Sequence, residues 1–258
     1  MIDVVVPIYN QLDLVAQCID CLKSQEHVGR IIAVDDASTD LGVVDYLDSM
    51  RGITLLRHDL NAGFLHAANH GMEYVDTEFA VIVNTDVTPL DANALWALAW
   101  SMQEHEANVG GAKLLFASGS NYGGHMTIQH AGVGFNPDGR PYHPYMHLHP
   151  DTKAANKTRM VNAATGAVFG VRTGTWRTRG GFDPTFAPGV YEDVDYCLSA
   201  GSVVYESRSE WLHLMHGSQT EGHNLFDNEP RNLKLLWRKW GRIECDEELY
   251  YNEGDGNG

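Results

Sequence analysis

The chain has 258 residues, 43% of them hydrophobic and 10% aromatic, which supplies a full core for one α/β domain and argues against disorder. A formal charge of −16 makes nucleic acid an unfavourable partner, because a polyanion is repelled by a chain of its own sign. No apolar run reaches the roughly 18 residues that span a bilayer, and residue 2 opens directly into a strand-like stretch, so a cytoplasmic protein is expected.

Residues 4–7 predict a short buried strand, and Leu12, Leu14, Val15, Cys18, Ile19 and Leu22 then recur at helical spacing. Ile31-Ile32-Ala33-Val34 predicts a second strand ending at Asp35-Asp36, with Ser38 placed to cap the helix through Val43, Val44, Leu47 and Met50. A strand over 53–57, a helix over 67–74, a strand over 80–83 and a helix over 95–102 continue the alternation. Strands apolar on both faces, alternating with helices, predict a parallel sheet covered on each side.

Residues 117–158, rich in Gly, Pro, His, Asn and Tyr, read as a long loop or hairpin excursion. Regular structure is expected to resume near Met160, with a helix from about Glu192 and a last strand at Trp211-Leu212-His213-Leu214. Residues 232–242 form an amphipathic helix with Leu233, Leu236, Trp237 and Trp240 on its apolar side. Peripheral contact with a membrane through this helix is one reading; packing on the domain is the favoured one. Residues 252–258 read as a disordered tail. The four cysteines have no framework spacing, and Cys18 with Cys21 falls inside a helical pattern, so packed, reduced thiols are expected.

Ligands of such sheets bind outside the carboxyl ends of the strands. Asn10, Asp35-Asp36 and Asn84-Thr85-Asp86 all follow strand ends and should gather on one rim. Asp86 can ligate a divalent cation whose other positions are filled by diphosphate oxygens and water, with Asn84 on a ribose or a ligand water. Taken alone, the tripeptide reads more simply as an ordinary polar strand end. Asp35-Asp36 suits a nucleobase N–H or ribose hydroxyl, or a solvated helix cap. Asp193 is the candidate base, with Glu192 or Asp195 raising the pKa of one member of the cluster; acids opening a helix are the plainer alternative. His213, with His216 in reserve, can supply an imidazole ligand, which suits Mn²⁺ better than Mg²⁺. His125, His130, His143, His147 and His149 lack structural-zinc spacing and read as loop and acceptor-surface residues.

Taken in order, these stretches resemble the GT-A-fold, family 2 glycosyltransferases, especially the rhamnosyltransferase-like branch. The matching pieces are Val4-Val5-Val6-Pro7-Ile8-Tyr9-Asn10, Val34-Asp35-Asp36-Ala37-Ser38-Thr39-Asp40, Asn61-Ala62-Gly63-Phe64 with Ala68-Asn69 and Gly71, and Val83-Asn84-Thr85-Asp86. Ile128-Gln129-His130-Ala131-Gly132, Thr165-Gly166-Ala167, Gly180-Gly181-Phe182-Asp183 through Glu192-Asp193-Val194-Asp195-Tyr196-Cys197, and His213 with Ser218 complete the set over about residues 2–220. Each piece is weak; the ordered set is specific.

The resemblance implies a Rossmann-like, mostly parallel central sheet flanked by helices, with an elaborated acceptor-side C-terminal half. It divides the chain into a nucleotide-sugar half (1–115), an acceptor-side half (116–220) and a C-terminal helical extension (221–251). It implies an inverting transfer from a nucleotide-diphosphate sugar to a hydroxyl acceptor, with Mn²⁺ or Mg²⁺ as cofactor. Pro7, Tyr9, Asp36, Asn61, Gly63, Asn84 and Thr85 would serve the donor. Gly166, Glu192 and Asp195 would face the acceptor, Asp86 and His213 (or His216) would hold the metal, and Asp193 would be the base. The family often has aspartate where this chain has Asn84, which lowers the charge at the cation. A nucleotidyltransferase is the first alternative, disfavoured because Pro7-Ile8-Tyr9-Asn10-Gln11-Leu12 lacks a Gly-rich basic loop. A non-catalytic sugar-binding module is the second.

Overall fold

The structure is a computed structural model and describes residues 1–118, 125–214, 219–220 and 223–245. Its first half is built from β1 (Ile2–Ile8), α1 (Leu12–Lys23), β2 (Val28–Asp35), α2 (Leu41–Ser49), β3 (Ile53–Arg57), α3 (Phe64–Met72) and β4 (Phe79–Val83). The four strands run parallel in the order β3-β2-β1-β4. Their near-continuous Val and Ile runs are apolar on both faces because both faces are covered. Val4, Val6 and Ala33 meet Val15, Ile19, Leu22, Val43 and Leu47 of α1 and α2. Val5, Ile32 and Val34 meet Leu65, Ala68 and Met72 of α3.

The second half adds β5 (Val87–Pro89), α4 (Ala94–Glu104), β6 (Val109–Phe116), β7 (Thr127–His130), β8 (Gly134–Phe135), β9 (Pro141–Tyr142), β10 (Arg159–Val161) and β11 (Val168–Arg172). It closes with α5 (Thr173–Arg179), α6 (Glu192–Ala200), β12 (Val203–His213) and α7 (Glu229–Trp240). The sheet continues as β4-β11-β6-β12-β10, with β5 on β12 and β7 on β6. β6 and β12 are parallel to each other, whereas β11 is antiparallel to both β4 and β6. The expected α/β architecture, mostly parallel and flanked by helices, is the one observed.

The reversal at β11 positions the site. Val168, the first residue of β11, pairs with Val83, the last of β4. The chain entering β11 therefore lies beside the chain leaving β4, and the N–H of Asn84 donates to the carbonyl of Ala167 at 2.9 Å.

Several boundaries depart from expectation. α3 starts at Phe64, because Gly63 at φ 87° turns the chain into it. The side chain of Asp40, not of Ser38, caps α2 by accepting the N–H of Gly42; the Ser38 hydroxyl instead accepts the N–H of Asn10 at 2.9 Å. β12 starts at Val203 and reaches His213 through a register shift between Glu206 and Glu210, where only its last residues read as strand. The excursion after Leu115 contributes β7 to the main sheet and a β8–β9 hairpin outside it.

α7 is packed on the domain: Leu233 and Leu236 are buried, and Asn232 at 0% exposure donates to the carbonyls of Phe186, Gly189 and Val190. All four cysteines are free thiols. The predicted tail lies outside the described residues.

Candidate active site

Three groups of side chains meet along the rim. The first surrounds the end of β2. Asp35 is fully buried and takes the Ser38 N–H at 2.9 Å and the Arg57 guanidinium at 2.8 Å. Asp36, 3% exposed, accepts the backbone N–H groups of Ala62 at 2.9 Å and Gly63 at 2.7 Å, and its Oδ1 lies 2.7 Å from Nδ1 of His58. Asn10, at φ 57°, accepts the N–H groups of Thr39 and Asp40 on one side-chain oxygen. The expected donor residues Pro7 and Tyr9 are half-buried on this side of the rim, Asn61 is exposed, and Gly63 is half-buried. Asp36 thus holds the Asn61-Ala62-Gly63 turn against the end of β2.

The second group follows β4. Asn84 and Thr85 are half-buried and Asp86 is 3% exposed. The Asp86 carbonyl accepts the N–H of Leu214 at 2.9 Å, which ties this turn to the end of β12. Nε2 of His213 lies 3.4 Å from Oδ1 of Asp86, and Nδ1 of His213 lies 2.8 Å from Oε1 of Gln129. Two cis ligands about 2.1 Å from one cation sit roughly 3 Å apart. The pair therefore fits a divalent cation that takes its remaining ligands from phosphate oxygens and water. Among the described residues no set of three His, Cys, Asp or Glu side chains forms a metal cage. His216 and Ser218 lie outside the described residues.

The third group opens α6. Oδ2 of Asp193 accepts the Gly166 N–H at 2.8 Å, and Oδ1 accepts the Val194 N–H at 2.7 Å. Burial raises the carboxyl pKa of Asp193, and these N–H bonds oppose the shift. Glu192 is 7% exposed, and burial, followed by the charge of Asp193, pushes its carboxyl up to about 8. Gly166 precedes Ala167, which bonds Asn84, so a two-residue stretch connects the base candidate to the turn carrying Asp86.

Two expectations are corrected. Asp195 does not face an acceptor: it is 2% exposed, one oxygen takes Lys239 Nζ at 2.7 Å and the other Trp240 Nε1 at 2.7 Å. Its role is to dock α7 on α6. His130 is not a surface residue of the excursion, and the half-buried His143 packs against it. His130 is fully buried, its Nδ1 lies 2.8 Å from Nδ1 of His143, and burial holds both rings neutral, His143 at about 4. Gln129, His58 and Asn232 were not singled out from sequence. Gln129 sits within a quoted motif, but its partner His213 is 84 residues away.

The sequence profile described as "Glycosyl transferase family 2" matches residues 3–174, more than half of the chain. The chain belongs to glycosyl transferase family 2. Among curated relatives, the O-antigen biosynthesis protein RfbC of Myxococcus xanthus is 26% identical over 195 residues, covering 72% of this chain and 15% of RfbC. Glycosyltransferase GlyG of Streptococcus pneumoniae is 30% identical over 113 residues, 42% of this chain and 37% of GlyG. The match thus spans well under half the length of either relative. The fold of this family 2 chain is shared with GalNAc-T7 solved with UDP, GalNAc and Mn²⁺ (TM-score 0.69, 12% identity, 98% of this chain and 57% of that one). It is shared too with the mannosyltransferase PcManGT of Pyrobaculum calidifontis in complex with GDP-Man and Mn²⁺ (TM-score 0.61, 14% identity, 99% and 68%). Staphylococcus aureus TarS 1–349 with UDP-GlcNAc gives a TM-score of 0.61 at 17% identity, covering 92% and 64%. No helix among the described residues is long and apolar enough to cross a membrane.

Proposed function

We propose that this family 2 chain transfers a glycosyl group from a nucleotide-diphosphate sugar to a hydroxyl acceptor with inversion, Asp193 acting as base. The observation that carries the reading is the bonded path Asp193–Gly166–Ala167–Asn84, which puts the candidate base and the Asp86 turn on one rim. In the transfer step, the acceptor O–H proton passes to Asp193 while the acceptor oxygen bonds the anomeric carbon. The bond from that carbon to the diphosphate oxygen breaks, and its electron pair leaves with the nucleoside diphosphate. One in-line displacement of this kind inverts the carbon.

Asp86 and His213 would hold a divalent cation, whose chemistry here is to neutralise charge on the leaving diphosphate. The Mn²⁺ in GalNAc-T7 and in PcManGT, each with a nucleotide or nucleotide sugar, supports that assignment. Asp36 holds the turn against which the nucleoside would bind, and Gly166 aims the base. Alignment of two substrates on one rigid rim contributes to the rate by removing their freedom beforehand.

The test is a transfer and hydrolysis assay over UDP-, GDP- and dTDP-sugars with Mn²⁺, run on the wild type and on Asp193→Asn. Release of nucleoside diphosphate by the wild type and its loss in the variant are expected. Substantial turnover by Asp193→Asn rules out the base assignment.

A further inference from the structure

The His213 ring is held from behind. Its Nδ1 lies 2.8 Å from the side-chain oxygen of Gln129. An amide oxygen only accepts, so Nδ1 carries the proton and Nε2 presents a lone pair. That lone pair faces Oδ1 of Asp86 at 3.4 Å. An Nε2–H donated to this carboxylate would close to about 2.8 Å, so the wider gap agrees with two acceptors turned toward each other. Gln129 is 7% exposed and lies in β7, which pairs with the end of β6; β12, ending in His213, pairs with the same end of β6. Sheet pairing fixes His213 opposite Phe116 and holds Gln129 between the paired residues Ile128 and His130.

We propose that Gln129 is a positioning residue: it locks His213 in the Nδ1–H tautomer, leaving Nε2 to bind the cation. The proposal rests on the reading of Asp86 and His213 as metal-holding residues. A ligating imidazole gains orientation and basicity from the acceptor behind it. An amide in that place orients the ring without adding charge. With Asn84 also neutral, Asp86 is the one negative charge that this turn and His213 bring to the cation. Cation and diphosphate should therefore bind together, each weakly alone.

Two measurements test this. Long-range ¹⁵N–¹H correlation of the metal-free protein should show His213 protonated at Nδ1, and Gln129→Met should abolish that preference. Electron paramagnetic resonance titration of Mn²⁺ in the presence of UDP, and separately of GDP, should show affinity 10–100-fold lower in Gln129→Met. Gln129→Glu should restore it and also raise Mn²⁺ affinity without nucleotide, with all three proteins melting within a few degrees of one another. Nε2 protonation in the wild type, or unchanged Mn²⁺ affinity in Gln129→Met, overturns the role of Gln129 alone. Absence of Mn²⁺ uptake by the wild type with either nucleotide instead removes the metal reading of Asp86 and His213, and the proposal falls with it.

Discussion

Lys239, near the end of α7, donates to the buried carboxylate of Asp195 in α6 at 2.7 Å. Trp240 takes the second oxygen, and Asn232 one helical stretch earlier collects three carbonyls from the loop before α6. The segment that presents Asp193 is therefore held by α7 rather than by its own short helix. Asp195→Ala leaves Lys239 paired with Asp183 alone and strands the Trp240 indole N–H, at a cost of about 1–3 kcal/mol. The value sits toward the low end because the Lys239 side chain is 40% exposed. A melting temperature lower by about 2–10 °C is expected in calorimetry, together with slower transfer at unchanged donor affinity.

Replacing Asp193 by Asn keeps the side chain's shape and one acceptor oxygen for the Gly166 N–H. It removes the proposed proton acceptor. Transfer should fall about 10²–10⁴-fold, while calorimetric binding of the donor with Mn²⁺ stays nearly unchanged.

The pH profile should carry the mark of the Glu192-Asp193 pair. Burial raises the pKa of Asp193, and the base works only when ionised. Transfer should therefore rise with pH through a value above the ordinary carboxylate range. Glu192 keeps its proton up to about 8 because it is buried beside Asp193. The folded state thus binds this proton more tightly than the unfolded chain, whose carboxyl titrates near 4.5. The stability from that proton is complete below pH 4.5 and is lost as pH climbs to about 8. Glu192→Gln should flatten the curve of melting temperature against pH, its advantage over the wild type growing between pH 5 and 8. Parallel curves for the two proteins would contradict the assignment.

Asp36→Ala removes the acceptor of two backbone N–H groups and of His58. Leaving those donors, exposed or half-buried, without the Asp36 carboxylate should cost about 1–3 kcal/mol in urea unfolding. The freed Asn61-Ala62-Gly63 turn should also weaken nucleoside diphosphate binding, measured by calorimetry with UDP and GDP.

Gly71→Ala is a test of packing. A Cβ there meets Cγ1 of Val5 and comes within 2.9 Å of Cγ2 of Val34, both in strands that cannot move aside. Overpacking of this kind costs about 1–3 kcal/mol and should appear as a lower melting temperature with kinetics otherwise retained.

The parallel half of the sheet was legible because β1, β2 and β4 are short Val and Ile runs that end in polar residues. Those ends were enough to put Asn10, Asp36 and Asp86 on one rim. The later strands were harder. β11 is five residues with a central glycine, and only its neighbours decide that it runs antiparallel. β6 carries Gly110, Gly111 and Lys113, which break the apolar run that marks the earlier strands. Lys113 is buried because Glu210, Asn156 and the Pro150 carbonyl, 37 to 97 residues away, satisfy its ammonium. Separations of 44 and 45 residues likewise hid the partners of Asp195. Local pattern reports which face is apolar; it does not report which buried polar group has found a mate.

The grip of Asn232 on three carbonyls of the loop before α6 has a practical bearing on chimeras. A hybrid given a foreign C-terminal segment without an equivalent amide would keep its nucleotide cradle and lose the aim of its acid. Such an enzyme would spill sugar to water instead of delivering it.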